Sequence, residues 1–170
     1  DGYAYGETRD FTTTSISATL SKPMVTQTTA TFSGNVNFDK TAPIEFGILY
    51  STNSTLVVNT SGVKKVKATP EDNGDFSCKA TGLDHSTTYY YCYYACQDNS
   101  YTYGVVSEVT TESVNVSLSA DSITQTTVTF NGNAELTESG VIEVGVIYST
   151  DSELKAGVYN VIKRKLYPDY

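Results

Sequence analysis

Thr87-Thr-Tyr-Tyr-Tyr-Cys-Tyr-Tyr-Ala-Cys96 decides how this 170-residue chain is read. It holds five of the fourteen tyrosines and two of the three cysteines. Aromatic residues suit a pleated, half-buried surface, so the run reads as a strand. Side chains alternate along a strand. Tyr89, Tyr91, Tyr93 and Ala95 are therefore assigned to the core. Tyr90, Cys92, Tyr94 and Cys96 are assigned to the opposite, solvent-facing side. Counting back through Leu83, the residues Ala80, Cys78 and Phe76 also face inward. The run is expected to be the central strand of a β-sandwich.

The same facing sorts the cysteines. Cys78 reads as a small buried apolar residue, a frequent role for a free cysteine. Cys92 and Cys96 read as exposed thiols. They lie four apart, roughly 13 Å along one strand, beyond the roughly 7 Å that a disulfide spans. Cys78 and Cys92 are not expected to bond either, since they face opposite ways. With an odd number of cysteines, at least one thiol stays free or pairs with another chain.

Working outward, the chain repeats itself at an offset of 98. Tyr3-Ala-Tyr-Gly6 returns as Tyr101-Thr-Tyr-Gly104, and Thr26-Gln-Thr-Thr29 as Thr124-Gln-Thr-Thr127. Phe32-Ser-Gly-Asn35 returns as Phe130-Asn-Gly-Asn133, and Ile44-Glu-Phe-Gly47 as Ile142-Glu-Val-Gly145. Between 3–56 and 101–154 there are 24 identities in 54 ungapped positions. A constant offset over that length indicates tandem modules. Residues 1–14 read as the last strand of a preceding or exchanged module. Residues 15–112 read as one complete module, and 113–170 as the N-terminal part of a second.

Within the complete module, period-2 alternation is common and no helical period is sustained. Strands are expected at 16–20, 29–36, 44–50, 63–68, 75–81, 88–95 and 103–111. Ser51–Gly62 reads as a polar loop. Asn73-Gly74 is a hairpin signal, with 75–81 as the returning strand. Seven short strands in about a hundred residues indicate an all-β, seven-stranded sandwich.

Leu83 six residues before Tyr89, followed by Tyr91, Tyr93 and Ala95, resembles the fibronectin type III pattern around its tyrosine corner. QTTATFSGNV, EFGILYST, GLDHSTTYYY and YTYG…VTT look closer still to a variant of that immunoglobulin-like fold. The variant is strung in tandem in surface proteins of Bacteroidetes-type bacteria. The resemblance spans essentially the whole chain. It departs from that variant where Cys92 replaces a basic residue and where the core lacks Trp. It implies a bacterial extracellular or cell-surface setting and no single activity.

Composition narrows the function classes. The net charge is −8, which argues against nucleic acid, whose phosphates select Lys and Arg. Lys64-Lys65-Val66-Lys67 and Lys163-Arg164-Lys165 read as edge strands guarded by charge. No run approaches the roughly 18 apolar residues of a membrane helix. The chain opens on Asp1-Gly2-Tyr3, so an export signal is expected to be removed or to lie upstream.

Catalysis needs convergent titratable groups, and no catalytic residue is assigned. The one histidine, His85, sits in a turn away from Cys92 and Cys96. No metal site and no cofactor is expected. Glu71, Asp72 and Asp75 surround a tight turn, where turn chemistry accounts for them better than calcium does. Asn53, Asn59 and Asn115 match the N-glycosylation pattern, and Asp121-Ser122-Ile123 resembles an O-glycosylation motif of that phylum; both are short matches. The candidate interaction face is Tyr90 and Tyr94 with Tyr101 and Tyr103 beside them.

The expected role is a non-catalytic structural or adhesive module, acting as spacer or interaction domain. Its partners would be other copies of the module or other surface proteins. One alternative is a fibre or oligomer built by strand exchange between chains, since residues 3–14 are a ready-made strand. Another is a carbohydrate-binding accessory module using the outward tyrosines.

Overall fold

Strands form where aromatic and β-branched residues alternate, and two layers of them enclose one apolar interior. The computed structural model describes residues 2–10, 16–38, 44–137 and 143–150, and the backbone of 162–166. In the first layer, β3 (Thr29–Asn37) is central. One edge of β3 pairs with β1 (Ser17–Leu20) and then with β2 (Met24–Val25). The buried Pro23 lies in the break between them, as expected of a residue with no N–H for the ladder. The other edge pairs with β6 (Asp75–Thr81), whose burial alternates strictly.

In the second layer the tyrosine run is β7 (Thr88–Gln97), at the centre of its sheet. It pairs on one side with β4 (Glu45–Ser51), which in turn pairs with β5 (Lys64–Ala68). On its other side lie β8 (Ser100–Tyr103) and β9 (Ser107–Thr110). Gly104–Val106 separate these two. A side chain at Gly104 would collide with the Tyr93 ring, so the chain passes under that ring only as glycine. Nine segments therefore stand where seven strands are expected. The difference arises because one edge of β3 and one edge of β7 are each shared by two short pieces.

The core joins the layers. Ala30, Phe32, Val36, Phe76, Cys78 and Ala80 from the first meet Phe46, Ile48, Tyr50, Tyr89, Tyr91 and Ala95 from the second. Rings cross the gap: Phe32 lies 5.1 Å from Tyr91 and Phe46 lies 4.8 Å from Phe76. Aromatic pairs at such spacings add to the roughly 1.5–3 kcal/mol that burial of each large side chain contributes. The inward assignment of Phe76, Cys78, Ala80, Leu83, Tyr89, Tyr91 and Ala95 matches this interior, with Tyr93 packed at its margin.

One expectation about the chain path is corrected. Asn73-Gly74 does not close a hairpin, because β5 pairs with β4 while β6 pairs with β3. The turn instead carries the chain between layers, a step of about 10 Å. Gly74 takes φ 87° there, a conformation suited to glycine. Asn73 Oδ1 accepts the Asp75 N–H at 3.0 Å. Residues 2–10 pair with no strand of this chain, with Tyr3 and Tyr5 86% and 90% exposed, and the strand expected over 1–14 runs into residues 11–14, which lie outside the described ones.

Beyond Glu112, β10 (Asn115–Asp121) pairs with β11 (Thr129–Glu135), and β12 (Val144–Tyr148) with β13 (Ile162–Leu166). Their registers repeat earlier ones 98 residues on. Ser17↔Asn37 recurs as Asn115↔Glu135, and Phe46↔Ala68 as Val144↔Leu166.

Candidate functional site

Alternation along β7 puts Tyr90, Cys92, Tyr94 and Cys96 on the outer side of the sheet, as expected, but that side is not all surface. Cys92 is 1% exposed and Tyr94 is 0% exposed. Both belong to a second apolar cluster with Leu49 and Leu56, flanked by Val58, Val63 and Tyr90. Its cover is the 52–63 segment, folded over the sheet by backbone bonds from Thr60 N to Val57 O and from Val63 N to Thr60 O. Cys92 is thus not an exposed thiol, and Tyr94 is not part of an open face. The signal for this was present: Leu56-Val57-Val58 interrupts an otherwise polar loop.

Tyr94 carries a polar tip, and burial obliges that tip to find a partner. Its hydroxyl donates to Glu45 Oε1 at 2.9 Å. The same carboxylate takes Lys65 Nζ at 2.8 Å on Oε1 and Lys67 Nζ at 2.6 Å on Oε2. These bonds, Lys65 first, hold the Glu45 carboxyl down at about 2. Burial, then the bond to Glu45, pushes the Tyr94 phenol up. Lys65 Nζ also stands 5.7 Å over the Tyr94 ring, within cation–π range. Sequence reading assigned the lysines to a charged edge and did not connect them with Glu45.

Tyr101 and Tyr103 do remain at the surface, 39% and 36% exposed. Their rings are 6.2 Å apart and nearly parallel at 11°, and Tyr101 continues to Tyr94 at 6.5 Å. Cys96 is half-buried and unpaired to any cysteine, as are Cys78 and Cys92. Its side-chain hydrogen bond with Tyr101 raises that phenol. The open part of the predicted face is therefore Tyr101, Tyr103 and Cys96, bordered by Lys65, with Tyr90 half-buried beside the second cluster.

His85 is exposed, with Nδ1 3.3 Å from Ser86 Oγ. Asp75 uses both carboxylate oxygens on amides, Asn35 Nδ2 at 2.9 Å and Asn73 Nδ2 at 2.7 Å. Among the described residues, no three His, Cys, Asp or Glu side chains gather as metal ligands would.

A second constellation escaped the sequence reading. Gln27 is 3% exposed and is held in a turn stapled by Thr26, whose Oγ1 accepts the Thr29 N–H at 3.0 Å. Its Nε2 donates to Glu135 O at 2.7 Å and to Ser113 O at 3.2 Å. Its Oε1 accepts the Thr137 N–H at 3.0 Å. One amide thus satisfies both donors and its acceptor on backbone groups far ahead in the chain. Backbone bonds from Glu112 N to Thr26 O and from Ser86 N to Glu112 O fasten the connection itself. Beside this clasp lies an open cavity of about 760 Å³ lined by Gln27, Asn115, Asn133 and Glu135. The available clue was that a glutamine recurs inside each TQTT motif.

Neither a protein-family model nor a curated protein sequence matches the chain. Among solved structures it is similar to the sensor domain of the anti-sigma factor RsgI4 in Pseudobacteroides cellulosolvens. That match is 18% identical, with a TM-score of 0.42, over 58% of this chain and 76% of that one. It is also similar to a computationally redesigned β-sandwich protein, 20% identical, with a TM-score of 0.39, over 57% of this chain and 92% of that one. The fold is an all-β sandwich.

Proposed function

We propose that this chain is a non-catalytic structural and adhesive segment of a bacterial surface protein, in which fibronectin type III-like modules follow one another as a spacer. The observation that carries this reading is the Gln27 clasp. A buried amide with three backbone partners fixes how one 98-residue unit meets the next, and holding units at a set angle is what a stiff spacer requires. The recurrence of strand registers at the same offset supports the tandem arrangement. Support for the fibronectin type III-like assignment comes from the Tyr89 hydroxyl, which accepts the Asp84 N–H at 3.0 Å, as a tyrosine corner does. The cell-surface setting, in a protein of the Bacteroidetes type, rests on the sequence resemblance.

Residual dipolar couplings test the spacer role. One alignment tensor should fit both 16–110 and 115–135, and Gln27→Ala should split it into two. Two tensors in the unmodified chain, or one tensor surviving in the variant, would remove the reading.

The stacked, exposed pair Tyr101 and Tyr103 favours a second reading, a contact face for glycan or protein beside Lys65. Calorimetry against a glycan panel, with Tyr101→Ala as control, decides it for glycan; flat traces would end that version.

A further inference from the structure

The outer edge of β8 is laid out for pairing and carries no charge to prevent it. Gly104 N donates to Tyr93 O at 2.9 Å, and Tyr94 stands opposite Tyr103. Backbone groups alternate sides along an antiparallel strand, so the N–H and C=O of Tyr101 and Tyr103 point away from β7. Among the described residues, no strand meets that side. A two-residue turn at Asp98-Asn99, with φ 50° and 63°, fixes β8 on β7 in the tight hairpin form that matches strand twist. The remaining edges carry the devices that keep strands apart. β5 has Lys65 and Lys67, β6 has Lys79, β9 has Glu108, and Lys22-Pro23 interrupts the edge made by β1 and β2. From 99 to 107 no residue is charged, and Tyr101, Tyr103, Val105 and Val106 are each at least 36% exposed.

We infer that β8 is a docking edge for a second copy of this chain, paired antiparallel about a two-fold axis at Thr102. The edge is complementary to itself. In that register Tyr101 faces Tyr103 of the other copy, and Tyr103 faces its Tyr101. Each such pair exchanges two backbone hydrogen bonds, about four in all, and Thr102 meets its own image in the non-bonded position between them. Opposed side chains share one face of a sheet, so two tyrosine pairs cross the seam on the outer face, where Tyr101 and Tyr103 already lie 6.2 Å apart. Aromatic cross-strand pairs stabilise a sheet. No charge meets its own image in the seam, as the lysines of β5 would if that edge paired with itself. The seam is also short. Gly104, Val105 and Val106 stand between Tyr103 and Ser107, where β7 has only Cys92 and Tyr93. Such a bulge turns the edge aside, so pairing ends with β8. The inference rests on the reading of Tyr101 and Tyr103 as a contact face and names what occupies it.

A four-residue seam covers less than the roughly 1,200 Å² of a standard interface, so free copies should pair weakly. Each copy carries a net charge of −8. Salt screens that repulsion, so pairing should tighten as salt is added. The test is sedimentation equilibrium of the whole chain up to about 2 mM, at low and at physiological salt. A monomer–dimer equilibrium is expected. Thr102 is exposed, and Thr102→Lys sets two like charges opposite each other at the axis, which should weaken the dimer about ten-fold. Cross-linking reads the register, with glutathione disulfide as oxidant and Cys96→Ser as background. Cα atoms in the non-bonded position lie about 4.5 Å apart, within disulfide range, so Thr102→Cys should yield a covalent dimer. Ser100→Cys lies roughly 13 Å along the strand from its image and should not. A chain that stays monomeric over this range, a dimer indifferent to Thr102→Lys, or equal cross-linking of the two cysteine variants overturns the inference. Glycan binding that Tyr101→Ala abolishes, by a chain that stays monomeric, overturns the second copy as occupant and keeps the contact face, so the two readings fail separately.

Discussion

The phenolic oxygen of Tyr89 accepts the backbone N–H of Asp84 at 3.0 Å, across the turn that leads into β7. The Tyr89 ring is at the same time in the core, 6.3 Å from Tyr50. The two parts of this side chain can be separated by mutation. Tyr89→Ala should cost about 3–5 kcal/mol, as for other buried aromatics. Tyr89→Phe keeps the ring and frees an N–H at an exposed position, where water replaces the lost partner, so about 0.5–1.5 kcal/mol is expected. Tyr90→Ala, on the other side of the sheet and half-buried, should cost less than half of Tyr89→Ala. Urea unfolding measures all three, and equal costs for Tyr89→Ala and Tyr90→Ala would contradict the facing of β7.

Glu45 should leave a mark on stability at acid pH. Its folded carboxyl sits at about 2, below the ordinary 4.5. A depressed carboxylate stabilises the fold above its unfolded value and loses that contribution as pH falls through the folded one. The loss should thus run from about pH 4.5 down to about 2. The side chain is 32% exposed, so water and salt limit the effect to about 1 kcal/mol or less. Glu45→Gln should flatten that part of the pH profile, and added salt should shrink it. Tyr94 has the opposite sign. Its raised phenol favours the neutral form, so its contribution is complete below the ordinary value near 10 and declines as pH rises beyond it. Chemical denaturation at stepped pH checks both; an unchanged acid limb in Glu45→Gln would refute the first.

The three thiols should differ in reactivity. Burial pushes Cys78 and Cys92 up to about 11, leaving only about one in a thousand as thiolate at pH 8. Cys96 is half-buried and should react first with an aromatic disulfide reagent. Leu56 closes the cover over Cys92. Leu56→Ala should cost about 2–5 kcal/mol and speed labelling of Cys92 at least ten-fold while Cys78 stays protected. Simultaneous labelling of Cys78 would mean global unfolding, and an unchanged Cys92 rate would mean that the 52–63 segment is not its shield.

What the sequence disclosed follows from which interactions are local. Alternation is a property of neighbouring residues, so Phe76, Cys78 and Ala80, or Tyr89 and Tyr91, could be assigned a face before any partner was known. Whether the other face meets water is not local. Cys92 and Tyr94 point outward, yet Leu56 arrives from a loop more than thirty residues earlier and covers them. Asn73-Gly74 fixes a turn but not the sheet that receives the next strand, since that depends on β3 offering β6 a free edge. Gln27 was invisible as a site because its partners are backbone groups, which carry no residue signature.

Gly104 offers a control built into the repeat. Tyr101-Thr-Tyr-Gly104 and Tyr3-Ala-Tyr-Gly6 are near copies, but their surroundings differ. A Cβ at Gly104 would run into the Tyr93 ring, whereas one at Gly6 meets nothing within 4 Å. Gly104 N also donates to Tyr93 O at 2.9 Å, so the backbone cannot simply swing away. Gly104→Ala should therefore cost about 1–3 kcal/mol through overpacking, while Gly6→Ala should stay within about 0.5 kcal/mol. If the ring is the cause, the cost of Gly104→Ala should fall to about 0.5 kcal/mol or less in a Tyr93→Ala background, since contacting residues are where additivity fails. A full cost in that background would place the strain in the backbone between β8 and β9 rather than at the ring.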